Sequence, residues 1–208
     1  MTVPAERIQA VVFDLGKVLL DFDYGIAAKR IAARCRDPGF DVRSLIDQSP
    51  LLYRFELGLM NRREFFDHVQ GTAGFHGNEE DFSAMFADIF SEIPEMIRLN
   101  ARLREGGQRT FIFSNTNALA IDHIQRRFPF FKNFDDYIFS YEHGSMKPAE
   151  KIYRVVEERT GRSGAEILYI DDRPENTAAG AGRGWLTIRH ENAEKTWAAA
   201  RDLKLVPG

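Results

Sequence analysis

The chain has 208 residues, 44% of them hydrophobic, and a net charge of −3. That suffices for one sizeable domain, or for a core domain carrying an insertion, around a packed interior. The charge balance argues against a basic nucleic-acid-binding face, no apolar run reaches membrane-spanning length, and the single cysteine, Cys35, excludes an intrachain disulfide.

The opening residues, Met1-Thr-Val-Pro-Ala-Glu-Arg-Ile8, lack the long apolar stretch of a signal peptide. A soluble, cytoplasmic protein is therefore expected. Next comes Gln9-Ala-Val-Val-Phe-Asp-Leu-Gly16, an apolar run broken by one acid, Asp14. Val11 to Phe13 reads as a strand buried on both faces, and Gly16 turns the chain after it. From Tyr24 to Ile89 the pattern is helical with short breaks. Ile26 to Arg34, Arg62 to Val69 and Glu79 to Phe90 are candidate helices, and the last carries Phe82, Met85, Phe86 and Ile89 on one face. These aromatics read as core, with a pocket lining as the other possibility.

After Pro94 the texture changes. Glu95 to Arg104 reads as a helix closed by Gly106 and Gly107. Thr110 to Phe113 reads as a strand, Ala118 to Phe128 as a helix, and Tyr137 to Phe139 as a strand. A helix is expected to open at Pro148 and to close at Gly161. Glu166 to Ile170 and Trp185 to Ile188 read as strands, Glu175 to Arg183 and Ala193 to Leu203 as helices. This alternation predicts an α/β protein, a Rossmann-like doubly wound parallel sheet with helices on both faces. The core is expected over residues 1–20 and 92–208. A helical insertion is expected over residues 21–91.

Four places after predicted strands carry polar groups suited to chemistry. Asp14 stands at the carboxyl end of the first strand, where open α/β sheets bind ligands. Ser114 and Asn115 leave the second strand and enter a helix. Hydroxyl, amide and free helix N–H groups suit a phosphate, although such residues are also routine helix caps. Lys147 precedes an expected helix start, where a cation opposes the helix dipole; a bound anion would account for it, and an ordinary surface lysine is the commoner alternative. Asp171 and Asp172 end a strand side by side, and paired carboxylates of this kind suit Mg²⁺. Together they supply a carboxylate nucleophile, phosphate donors, a cation and metal ligands, the parts of a phosphoryl-transfer site. The five histidines show no metal-ligand spacing.

In this order the motifs resemble those of the haloacid dehalogenase-like hydrolase superfamily, over about Gln9 to Ile188. Phe13-Asp-Leu-Gly-Lys-Val18, Phe113-Ser-Asn-Thr-Asn117 and Tyr169-Ile-Asp-Asp172 most resemble sugar-phosphate phosphatases of the glucose-1-phosphatase type and the phosphatase domain of bifunctional epoxide hydrolases. The insertion is similar to the small α-helical cap of many members. The resemblance implies that Asp14 attacks phosphorus to form an aspartyl-phosphate, that Ser114 and Asn115 hold the phosphoryl oxygens, and that Lys147 neutralises Asp14 and the transferring group. It implies Mg²⁺ on Asp14, the main-chain carbonyl of Gly16 and Asp172. Asp171 is the other candidate ligand, standing where many members have glycine. Asn176 replaces a further acid and supports the loop. The implied substrate is a small phosphorylated metabolite, a sugar phosphate by preference, and oligomeric state is left open.

One departure matters. Most phosphatases of this superfamily carry a second aspartate two residues after the nucleophile, where this chain has Gly16. That aspartate protonates the leaving alcohol, a role typically worth about 10²–10⁴ in rate. An anomeric or acyl phosphate would need little protonation. Alternatively Asp21 or Asp23 could substitute, unless they are solvated or cap the next helix. Lys17 could add positive charge near the phosphate or point to solvent. The cap helices and Glu56-Leu-Gly58 are where specificity is expected. Two other readings stay open: a 2-haloacid dehalogenase, with Asp14 attacking carbon and no metal, and a catalytically weak phospholigand-binding protein.

Overall fold

The computed structural model describes residues 8–207, so most of the N-terminal segment read above for a signal sequence lies outside the described residues. The elements run in the order β1 (Ala10–Phe13), β2 (Leu20–Phe22), α1 (Tyr24–Ala32), α2 (Arg43–Ile46), α3 (Pro50–Glu56), α4 (Arg62–Ala73), α5 (Glu79–Ala87) and β3 (Phe90–Glu92). Then follow α6 (Pro94–Glu105), β4 (Arg109–Ser114), α7 (Ala118–Arg127), β5 (Asp136–Phe139), α8 (Ser140–His143), α9 (Glu150–Thr160), β6 (Ile167–Asp171), α10 (Pro174–Gly182), β7 (Leu186–Arg189) and α11 (Ala193–Asp202).

The main sheet is parallel, with strand order β5-β4-β1-β6-β7. β1 lies at its centre, and successive residues serve opposite faces. Val11 and Phe13 join Ile112, Leu168 and Ile170 in one cluster. Ala10 and Val12 join Phe111, Phe113, Ile167 and Tyr169 in the other. Apolar residues at every position of β1 therefore reflect burial from both sides, each large side chain contributing about 1.5–3 kcal/mol. Helices α6, α7 and α11 supply Leu99, Ile121, Ile124 and Ala200 to the first cluster, and α9 supplies Ile152, Tyr153 and Val156 to the second.

Helices α1–α5 surround a third cluster, including Phe55, Phe65, Phe66, Phe82 and Phe86, to which α7 adds Leu119. Four of these five helices, α1, α3, α4 and α5, carry a locally encoded side-chain cap. Asp23 accepts from the Gly25 N–H at α1, Ser49 from Leu52 at α3, and Asn61 and Glu64 form a reciprocal capping box at α4.

Three expectations change. The sequence reading has no place for β2 and β3, which pair antiparallel and bring Asp21 opposite Ser91. It also omits α2 and α3. Finally, α9 starts at Glu150 rather than at Pro148, because Ala149 is still extended at ψ 135°.

Gly58, in the turn after α3, has φ +67°, and a Cβ there would lie 2.1 Å from the Tyr141 carbonyl oxygen in α8. Gly58→Ala combines a left-handed backbone with a main-chain clash. It is expected to cost at least about 1–3 kcal/mol in urea unfolding. A loss below a few tenths would mean the turn moves away from α8 freely.

Candidate active site

The carboxyl ends of β1, β4 and β6 meet at one point. Asp14 follows β1, Ser114 closes β4 and Asp171 closes β6. Lys147 joins them from the turn before α9. It comes eight residues after β5 rather than directly after a strand, because α8 intervenes. Its ammonium lies 2.9 Å from Asp14 Oδ1 and 2.7 Å from Asp171 Oδ2, and donates to the Phe113 carbonyl at 2.9 Å. All three donors of the ammonium are thus used. Its side chain is 1% exposed. The lysine that opposed a helix dipole in the sequence is here the counter-ion of two buried carboxylates.

The two acids of β6 differ sharply. Asp171 is fully buried. It accepts from Lys147, the Tyr169 hydroxyl, the Asn176 amide and the Arg173 N–H. These donors, led by Lys147, hold its carboxyl below the usual range against the penalty of burial. Asp172 has no such set, and burial together with Asp171 raises its carboxyl. Burial pushes the Asp14 carboxyl up to about 8, with Asp171 adding to the rise and Lys147 opposing it. One carboxylate oxygen from each of Asp14, Asp171 and Asp172 lies within 4.8 Å of the others. An all-oxygen set with net negative charge fits a hard divalent cation, which would relieve the crowding that raises Asp14 and Asp172. Asp171 has the fewest lone pairs to spare for it.

Asn115 is committed elsewhere. Its amide oxygen accepts from the Lys147 N–H at 2.8 Å, and its amide nitrogen donates to the Lys147 carbonyl at 3.1 Å. The side chain expected to touch phosphate is instead a clamp on the lysine main chain. Ser114 Oγ makes only a 3.3 Å contact, to the Asn115 carbonyl. Lys17 pairs with Asp21, both largely exposed, and donates to the Phe22 carbonyl at 2.8 Å. Asp23 caps α1. Both acids considered as substitutes for the missing one thus have other partners.

The position of that missing acid is filled. A Cβ on Gly16 would fall 2.8 Å from Phe22 Cε1. The Phe22 ring packs against Tyr24 and Phe90, with centroids 5.7 and 6.0 Å away, and carries the Lys17 ammonium 4.7 Å from its centre.

Above the acids lies a cavity of about 580 Å³. Asp14, Ser114, Lys147 and Asp172 line one side of it. Tyr24, Asp47, Gln48, Ser49, Leu52 and Glu56, from α1 and from α3 with the turn before it, line the other. Ser140 joins the two sides. Its hydroxyl accepts from the Thr116 N–H at 2.9 Å and lies 2.7 Å from the Glu56 carbonyl and 3.1 Å from that of Thr116. The sequence reading missed Ser140, whose role is purely tertiary, and the 47–49 stretch. For the latter, a Ser49-Pro50 helix start was the available signal.

Fold and site together define an α/β protein with an acid-lined centre at the carboxyl edge of a parallel sheet. The chain belongs to the haloacid dehalogenase-like hydrolase family, whose pattern matches residues 8–184. It is 25% identical over 198 residues to a sesquiterpene phosphatase of Aspergillus oryzae, covering 94% of this chain and 96% of that one. It is 24% identical over 195 residues to a D-ribitol-5-phosphate phosphatase of Bacteroides thetaiotaomicron, covering 89% and 93%. The crystal structure of a haloacid dehalogenase family enzyme from the same bacterium, in complex with magnesium and inorganic phosphate, superposes with a TM-score of 0.78. There the identity is 23% and the coverage 89% of this chain and 96% of that one. Among the described residues, no helix is long and apolar enough to cross a membrane.

Proposed function

We propose that the protein is a Mg²⁺-dependent phosphatase of a small phosphorylated metabolite, acting in the cytoplasm through an aspartyl-phosphate on Asp14. The observation that carries this reading is the Lys147 ammonium between Asp14 and Asp171, at the floor of a cavity that Asp172 also lines. The two phosphatase relatives support it.

Asp14 Oδ attacks phosphorus, and the bond to the leaving oxygen breaks. Lys147 holds the Asp14 carboxylate in place and offsets charge on the transferring group. Ser114 Oγ and the Asn115 main-chain N–H bind phosphoryl oxygens, while the Asn115 side chain fixes Lys147. Mg²⁺ would be held by Asp14, the Gly16 carbonyl and Asp172, and would neutralise charge on the phosphoryl group. Asp171 serves as the lysine's partner rather than as a direct ligand. Residues 21–91 act as a cap over a core of residues 1–20 and 92–208. The polar residues Tyr24, Gln48, Ser49 and Glu56 on the cap side suit a hydroxylated substrate, a sugar phosphate of the kind glucose-1-phosphatase-type enzymes take.

The test is phosphate release from sugar, polyol, isoprenoid and aryl phosphates, with Mg²⁺ and with chelator. Release that chelator abolishes and Mg²⁺ restores supports the reading. Halide release from a 2-haloacid without added metal would overturn it.

Restoring the usual acid is not expected to help. Gly16→Asp must displace the Phe22 ring from its aromatic stack, at a cost of about 1–3 kcal/mol, and is expected to leave turnover unimproved. A tenfold gain in kcat would show that the ring yields.

A further inference from the structure

Leaving-group protonation has no donor at position 16, and Phe22 closes that space. Five carboxyl groups line the cavity: Asp14, Asp47, Glu56, Asp172 and Glu175. Asp14 is the nucleophile of the phosphatase reading, and Asp172 belongs to its cation set. Asp47 is paired with Arg43 at 2.9 Å. Glu175 accepts from Arg173 at 2.6 Å. Among the described residues no histidine lines the cavity, and burial drives the Tyr24 phenol well above its ordinary range, which makes it a poor acid.

Glu56 remains. We propose that its carboxyl group is the proton donor to the leaving oxygen and the base for the attacking water, an inference that rests on the phosphatase reading. Its position follows from the main chain. The Glu56 carbonyl ends α3 and is held 2.7 Å from Ser140 Oγ, which in turn binds the Thr116 N–H, two residues beyond Ser114. The end of α3 is thereby tied to the loop that faces the phosphoryl group. Glu56 is among the residues that line the cavity, and its carboxylate is close enough to the Tyr24 phenol, another lining residue, to oppose its ionisation. Burial alone pushes its carboxyl up to about 7, with no ionic or hydrogen-bonding group opposing the rise. A carboxyl of that kind exchanges a proton readily near neutral pH.

The step balances. As Asp14 Oδ bonds to phosphorus and the ester bond breaks, the Glu56 proton passes to the departing alkoxide, giving a free alcohol and a Glu56 carboxylate. That carboxylate then takes a proton from water as the water oxygen attacks phosphorus. The Asp14 Oδ–phosphorus bond breaks, which regenerates the Asp14 carboxylate and frees inorganic phosphate, and Glu56 is protonated again.

The experiment compares wild type with Glu56→Gln on p-nitrophenyl phosphate, whose leaving group needs no proton, and on alkyl phosphates such as glycerol and ribitol phosphates. The expected result is a kcat loss of about 10²–10³-fold on the alkyl esters, while the pre-steady-state burst of p-nitrophenol, which reports only transfer to Asp14, keeps its rate within about threefold. A retained burst also shows that the variant is folded. A burst slowed as much as alkyl turnover, or no loss on the alkyl esters, overturns the role of Glu56 while leaving the phosphatase reading intact. If wild type itself releases no phosphate in an Asp14-dependent way, the phosphatase reading fails and this inference with it.

Discussion

Asp14→Asn is expected to lower phosphate release by about 10⁴-fold or more, as losing a nucleophile does elsewhere, while leaving the fold in place. The amide is a poor nucleophile. Yet its oxygen can still accept from Lys147, which keeps its bonds to Asp171 and the Phe113 carbonyl. The substitution also removes one of three crowded acids. Stability is therefore expected to stay within about 1 kcal/mol of wild type. Phosphate assays with Mg²⁺ and urea unfolding on the same preparation check both halves. Residual turnover within tenfold of wild type would move the chemistry to another group. A large stability loss would make the activity result uninformative about nucleophilicity.

Lys147→Met is expected to destabilise the protein by about 3–5 kcal/mol, the usual result of removing one partner from a buried ion pair. Methionine fills much of the volume and keeps the contacts with the Phe113 and Tyr169 rings, which lie 5.0 and 5.8 Å from the ammonium. What is lost is the charge between two carboxylates whose side chains are 11% and 0% exposed. Urea unfolding at neutral pH measures the change. Asp171→Asn combined with Lys147→Met should recover part of it, because the asparagine needs no counter-ion. A single-variant loss below about 1 kcal/mol would mean that a carboxyl takes up a proton instead of remaining charged.

The strands of the main sheet were legible because burial on both faces writes a continuous apolar run, as in Ala10–Phe13 and Ile167–Asp171. The ribbon of β2 and β3 was not. Each strand has three residues, Asp21 is exposed, and the partner lies about seventy positions away. Helix α3 carried its own start signal in Ser49-Pro50 and an apolar spacing in Leu51, Leu52 and Phe55. The residues that converge at the carboxyl edge of the sheet could be picked out as polar breaks after apolar strands. Their division of labour could not. Asp171 and Asp172 are neighbours in sequence, and only tertiary contacts with Lys147, Tyr169 and Asn176 set them apart. Asn115 reads as a phosphate ligand until Lys147, 32 residues away, occupies both ends of its amide. Gly16 stood out as a missing acid. That an aromatic ring occupies the vacated volume depends on the turn that follows.

The Ser140 hydroxyl has one hydrogen and two carbonyls within reach, Glu56 at 2.7 Å and Thr116 at 3.1 Å. If the Glu56 carbonyl withdraws, the hydrogen swivels to Thr116 and no donor is stranded without a partner. The Glu56 carbonyl, once drawn away, is taken up by solvent. The same hydroxyl keeps accepting the Thr116 N–H throughout. A serine here works as a latch with a built-in resting position: it fastens the end of α3, and releasing it exacts almost no hydrogen-bonding penalty from the loop beneath.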